Sequence, residues 1–162
     1  MRFARSCAAS ALAAAYLSAC GFHLQGHTPL PDVVRTPYLE APDPQTDFVQ
    51  SLQRAMLSNG ARLAHDKAKA SAVVSIVKDS VARRTLVVSP TNQPEAYEVT
   101  YTVAFTVSTS DKEVLPLQEL SVTRTYSFDE SLLLAKGHEE DVLRGDMAHQ
   151  LADQVMRRLS SL

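Results

Sequence analysis

Cysteine is nearly absent from this chain: its 162 residues hold two, Cys7 and Cys20. Cys7 lies within a short apolar run near the start and Cys20 closes that run. If residues 1–19 leave as a secretory leader, one thiol remains, so an internal disulfide is excluded and the fold must rest on its hydrophobic core. A basic excess is missing too. Lys and Arg number 16 against 18 Asp and Glu, a net charge of −2. The leader holds Arg2 and Arg5 and no acid, so without it the balance is 14 against 18, net −4. Nucleic acid needs positive charge gathered on one face, and no such partner is expected. No apolar run approaches the roughly 20 residues of a membrane span. There is no glycine-rich phosphate loop and no Gly-x-Ser-x-Gly elbow. The histidines are His23, His27, His65, His138 and His149. None meets another His or a Cys at metal-ligand spacing on a predicted helix, so no metal is expected. Asp129-Glu130 and Glu139-Glu140-Asp141 fall at predicted helix starts, where the helix dipole stabilises acids. They read as helix signals rather than as a pair of hydrolytic carboxylates, and no enzyme is expected.

What is present begins with Leu17-Ser18-Ala19-Cys20. Arg2 and Arg5 make a positive start, and Cys7 to Leu17 is a small-residue apolar run within the roughly 7–15 residues of a secretory hydrophobic region. Leu-Ser-Ala-Cys resembles the bacterial lipoprotein signal at all four positions. That resemblance implies a diacylglycerol on the Cys20 thiol, cleavage before Cys20 and acylation of the new amino group, with no other cofactor. Each buried methylene contributes about 0.8 kcal/mol, and a second chain turns marginal membrane binding into stable anchoring. Gly21 follows the cysteine where an inner-membrane lipoprotein tends to carry aspartate, which implies the outer membrane, on its periplasmic side.

Residues 20–32, rich in proline like the stretch that follows them, read as a lipid-anchored tether, and residues 33–162 as a single domain. Val33 to Glu40 reads as a short strand. Thr46 is a plausible N-cap for a helix in which Phe48, Val49, Leu52, Ala55 and Met56 recur at helical spacing, with Gly60 as its left-handed stop. Strand, helix and return strand in that order imply parallel pairing. Ala72 to Val88 is β-rich but broken by Asp79-Ser80 and Arg83-Arg84, and a turn follows at residues 89–94. Then Tyr97, Val99, Tyr101, Val103, Phe105 and Val107 alternate with polar and small residues, the pattern of a half-buried strand. Beyond a turn at Ser110-Asp111-Lys112, Leu120, Val122, Tyr126 and Phe128 share one face of another strand. The last element is a helix entered at Glu139-Glu140-Asp141, with Leu143, Met147, Leu151, Val155 and Leu159 along one stripe. Gly145 within it costs about 1 kcal/mol relative to alanine. The expectation is an α+β two-layer sandwich of order β-α-β-β-β-α, two helices on one face of a mixed, roughly four-stranded sheet.

The other face of that sheet carries serine and threonine over two adjacent strands, and only Glu98 and Glu119 interrupt it. Threonine's β-propensity explains part of this. A face this poor in charge also suits the inside of another protein's polar cavity. Three basic residues are candidate anion contacts: Arg83 and Arg84 on the second strand, and Lys136 in the loop expected before the last helix. Lysine and bidentate arginine bind phosphorylated headgroups through charge-assisted hydrogen bonds.

Cys20-Gly21-Phe22-His23-Leu24-Gln25-Gly26 resembles the opening of the lipopolysaccharide-assembly lipoprotein family, the lipoprotein subunit of the outer-membrane lipopolysaccharide translocon. The likeness continues through residues 52–60, the strand ending at Val107, and Leu134-Ala135-Lys136 before an acidic helix start. The resemblance implies a plug and assembly partner for a large outer-membrane β-barrel that binds lipopolysaccharide on its way to the cell surface. It places Lys136 at a position associated with lipopolysaccharide contact. It departs at residues 89–94, which lack the family's basic hairpin tip, so Arg83 and Arg84, farther back in a longer hairpin, are the candidates to replace it. A lipid- or glycolipid-binding lipoprotein of another envelope transport system is the alternative, and a lipid-tethered cell-wall hydrolase a third.

Overall fold

The computed structural model describes residues 30–91, 93–127 and 133–162, without the side chains of residues 133–138. The leader, Cys20, most of the tether and Phe128 lie outside the described residues. The elements run β1 (Pro37–Glu40), α1 (Asp47–Ser58), β2 (Ala72–Val88), β3 (Pro94–Ser108), β4 (Glu113–Ser127) and α2 (Leu133–Ser160). The four strands form one sheet in sequence order, β1 parallel to β2 and the rest antiparallel. This is the α+β, β-α-β-β-β-α arrangement expected from the sequence.

Helix α1 forms where its caps are. The Thr46 hydroxyl accepts from the Val49 amide at 3.2 Å and donates to the Asp79 carboxylate at 2.5 Å. One side chain therefore caps the helix and ties it to β2. At the other end Gly60 takes φ +85°. Its N–H reaches the Leu57 carbonyl at 3.1 Å, and the Ala61 N–H reaches the Met56 carbonyl at 3.0 Å, the paired bonds of a Schellman stop. The apolar stripe buries Phe48, Val49, Leu52 and Met56.

Strand β3 is the middle of the core. Val99, Tyr101, Val103, Phe105 and Val107 are all buried, and they point at the helices. From α2, Met147, Ala148, Leu151, Ala152, Val155, Met156 and Leu159 pack down on them. Burying each large apolar side chain contributes about 1.5–3 kcal/mol, more than the roughly 0–1 kcal/mol of any exposed ion pair here. The two-layer core, not the charges, sets the fold.

Three expectations need correction. The first strand is shorter than Val33 to Glu40. Asp32–Val34 forms a 3-10 turn closed by the Arg35 N–H on the Asp32 carbonyl at 3.2 Å and an Arg35–Asp32 ion pair at 2.8 Å. That turn buries Val34 completely. The last helix starts at Leu133 rather than at the acidic triplet, so Glu139-Glu140-Asp141 lies about two turns inside it. The helix dipole acts over only the first turn, and Glu140 has a different task, described below. Lys136 consequently belongs to the helix and not to a preceding loop.

The polar break in β2 has a geometric cause. The register runs Ile76↔Phe105 and then Lys78↔Ala104, so Val77 is an extra residue. One inserted residue exchanges the two faces. Before it Ala72, Val74 and Ile76 face the helices; after it Asp79, Val81 and Arg83 do.

Two substitutions separate these contributions. Thr46→Ala, losing cap and tie together, is expected to cost about 1–2 kcal/mol. Gly145→Ala is expected to gain about 1 kcal/mol, because a Cβ at Gly145 meets nothing within 4 Å. Urea denaturation of both variants checks the opposite signs.

Candidate functional site

Arg83 and Arg84 are adjacent in sequence and lie on opposite faces of the sheet. Arg83 stands opposite the buried Val99 and so faces the helices, whereas Arg84 stands opposite Glu98 on the open face. The structure does not bring the two guanidinium groups together.

Arg83 sits in an aromatic and acidic cluster. Its guanidinium lies 4.7 Å above the Tyr97 ring, and Tyr97 packs against Tyr126 with centroids 5.7 Å apart. Both Arg83 Nη1 (2.9 Å) and the Tyr126 hydroxyl (2.6 Å) donate to the same oxygen, Oε2 of Glu140. The Tyr126 hydrogen bond, then Arg83, holds the Glu140 carboxyl below the usual carboxylate range. Hydrogen bonding to Tyr126 and the Glu140 charge raise Arg83, while burial and Glu140 raise Tyr126. Glu140 is thus the clasp by which α2 holds the far end of the sheet. Sequence reading missed it because the triplet marks a helix start as well as it marks a clasp.

Arg84 is freer. Its side chain is 70% exposed and, among the described residues, it pairs with Glu98 alone, at 2.6 Å. That pair lowers Glu98 and raises Arg84, yet its Arg84 half stands in water, where ion pairs are screened and exchanged. Of the two arginines, Arg84 is the one an anion can take without undoing the clasp. Lys136 lies in the first turn of α2, and its side chain is among those not described. Cys20 is outside the described residues.

The open face is lined by hydroxyls. Thr100 pairs with Thr123 and Thr102 with Ser121 across β3 and β4, and Ser75 and Ser80 face Thr106 and Thr102 from β2. The Thr100 and Thr123 hydroxyls are 3.0 Å apart. Three acids on it are matched: Glu98 by Arg84, Glu119 by Lys78 at 3.5 Å, and Glu40, beside Ser75, by Lys67 at 2.9 Å. Among the described residues no group of three or more His, Cys, Asp or Glu is placed to hold a metal, and no helix is long and apolar enough to cross a membrane.

Residues 34–159 match the family described as LptE, lipopolysaccharide-assembly. The chain belongs to that family. The LptE-family chain is 25% identical over 152 residues to the LPS-assembly lipoprotein LptE of Pectobacterium atrosepticum, covering 93% of this chain and 82% of the relative. It is 27% identical over 149 residues to that of Yersinia pestis, covering 91% and 72%. Among solved structures it is similar to an uncharacterized lipoprotein B from Nitrosomonas europaea, with TM-score 0.72, 28% identity and coverage of 87% and 91%. The rare lipoprotein B of Shewanella oneidensis gives TM-score 0.68 at 25% identity, covering 78% and 94%. Membership supports a role in lipopolysaccharide assembly as an envelope lipoprotein, in a family that is not one of enzymes.

The clasp has a pH signature. Because its folded pKa is depressed, Glu140 contributes stability that is present above its unfolded pKa and is lost as pH falls through the folded value. Wild type is therefore expected to be more stable than Glu140→Gln at pH 7, with the difference shrinking below about pH 4.3. Urea denaturation at several pH values checks this, and a difference independent of pH contradicts it.

Proposed function

We propose that this LptE-family chain is an outer-membrane lipoprotein, anchored on the periplasmic side through the diacylglycerol and N-acyl chain of Cys20. It seats its hydroxyl face inside a large β-barrel translocon subunit, helps that barrel assemble, and binds lipopolysaccharide during delivery to the surface. Its work is binding and positioning rather than catalysis. The observation that carries this reading is the open face, where hydroxyls predominate and Glu40, Glu98 and Glu119 are each paired with a basic neighbour. Such a face makes neutral hydrogen bonds with a polar wall and buries no unpaired charge, whose desolvation would cost several kcal/mol.

Lys136, Arg83 and Arg84 are the proposed lipopolysaccharide contacts, and they differ in availability. A phosphate at Arg84 competes with the Glu98 pair alone, whereas at Arg83 it must displace a carboxylate shared with Tyr126. Arg84→Ala is therefore expected to weaken lipopolysaccharide binding more than Arg83→Ala, while Arg83→Ala costs more stability. Binding assays and denaturation on the two purified variants measure both orders. For the role itself, depleting the protein is expected to lower folded barrel and surface lipopolysaccharide together. Unchanged levels of both contradict the proposal.

A further inference from the structure

The two outer edges of the sheet are built differently. The outer edge of β4 carries Pro116, which has no N–H to donate, an irregularity in register beside it, and charges at Glu113, Glu119 and Arg124. These are the devices that keep an edge from pairing with another chain. Strand β2 also carries charges, at Lys78, Asp79, Arg83 and Arg84, and irregularities in register, but it has no proline, so none of its N–H groups is missing. Strand β1 covers it only from Ala72 to Ser75, so Val77 to Val88 have no described strand on their outer side. Among the described residues nine large hydrophobic side chains are exposed, and five of them, Val77, Val81, Leu86, Val87 and Val88, lie on this one stretch.

Two adjoining hollows follow the same edge on the helix side. The first, about 400 Å³, opens where β1 ends and is lined in part by Ala41, Pro42, Val49, Ile76 and Val77. The second, about 290 Å³, lies further along β2 among Asp47, Asp79, Val81, Tyr101 and Arg144. Thr46 and Asp79 line both. The walls of the first are mixed, with Ala41, Pro42, Val49, Ile76 and Val77 forming an apolar patch beside Asp43, Thr46, Lys78 and Asp79. The second sets two carboxylates against one guanidinium, and Arg144 is already engaged by Asp47 at 3.2 Å, which leaves a negative balance beside Asp79.

Free main-chain N–H and C=O groups along an edge are matched by water or by another backbone. A strand added there gains affinity from the ladder and specificity from hollows that receive its alternate side chains. Same-face side chains on an extended chain repeat about every 7 Å, which suits two hollows in succession. We propose that the outer edge of β2 from Val77 onward docks an extended segment of a partner polypeptide. That segment adds a fifth strand, with an apolar side chain in the first hollow and a basic one, two residues along, in the second. This surface is separate from the hydroxyl face and does not depend on what that face touches.

The test compares the full lipidated protein, extracted from membranes with its bound partners, with the same protein purified alone. In the assembly, alternate amides between Val77 and Val88 are expected to exchange hydrogen at least tenfold more slowly than in the isolated protein, with the β4 amides unchanged. Val81→Lys fills the second hollow from within and is expected to reduce the co-purifying partner at least tenfold. The control Leu117→Lys, on the other edge, is expected to leave it in place, and both variants should melt with the parent, since both side chains are exposed. Equal exchange in the two states overturns the proposal, as does an unaffected partner yield in Val81→Lys. Protection that appears in the isolated protein only on concentration makes a second copy the occupant and overturns it as well. Loss of partner in Val81→Lys leaves the barrel-plug reading to its own test, because depletion and surface lipopolysaccharide are read independently of this edge.

Discussion

A sheet has two faces, and two helices here cover one of them. That constraint governs the rest of the molecule. Val99, Tyr101, Val103, Phe105 and Val107 of β3 are buried under α1 and α2, so the alternate residues of the same strand, Thr100, Thr102 and Thr106, must look outward. The hydroxyl face is therefore the obligatory reverse of the core. A strand cannot bury one set of side chains without presenting the other. Any function assigned to the open face inherits its rigidity from the packing behind it.

Electrostatic contacts position parts within that frame rather than holding it up. The Thr46–Asp79 bond fixes the start of α1 against β2, and Glu140 fixes the first half of α2 against Arg83 and Tyr126. The second contact matters because the described side chains of α2 ahead of Met147 include none that is buried. Among the described side chains ahead of Met147, the Glu140 clasp, the Arg144–Asp47 pair and the partly buried Leu143 hold α2 to the rest, and the clasp's strength depends on ionisation in a way that apolar packing does not.

Much of this was legible in the sequence where a local pattern has one physical meaning. Period two in residues 97–107, the Thr46 cap and the Gly60 stop each admit a single good geometry, and all three are found. The failures have equally specific causes. Val77 looks like any strand residue, yet as an extra residue it exchanges the faces of the residues from Lys78 to Thr85. The separation of Arg83 from Arg84 follows from strand alternation, but the face each takes cannot be assigned without knowing that register. The acidic triplet matches a helix start by composition, and only tertiary geometry shows Glu140 reaching across to the sheet. The short cover given by β1, and with it the free edge of β2, depends on where Asp32–Val34 turns, which Pro31 and Pro37 flank without determining.

The claim on which the account turns is that the hydroxyl face is enclosed in the cell. Single cysteines at Thr100 and Thr123, in the otherwise native protein, report this directly through their rate of maleimide labelling, since the proposed acylation of Cys20 would leave no thiol there to compete. Enclosure predicts labelling at least tenfold slower in intact outer membranes than in the purified protein, while a cysteine in place of Asp111 at the β3–β4 turn serves as the reference for reagent access. Equal labelling of Thr100→Cys and Thr123→Cys in membranes and in isolation would contradict it.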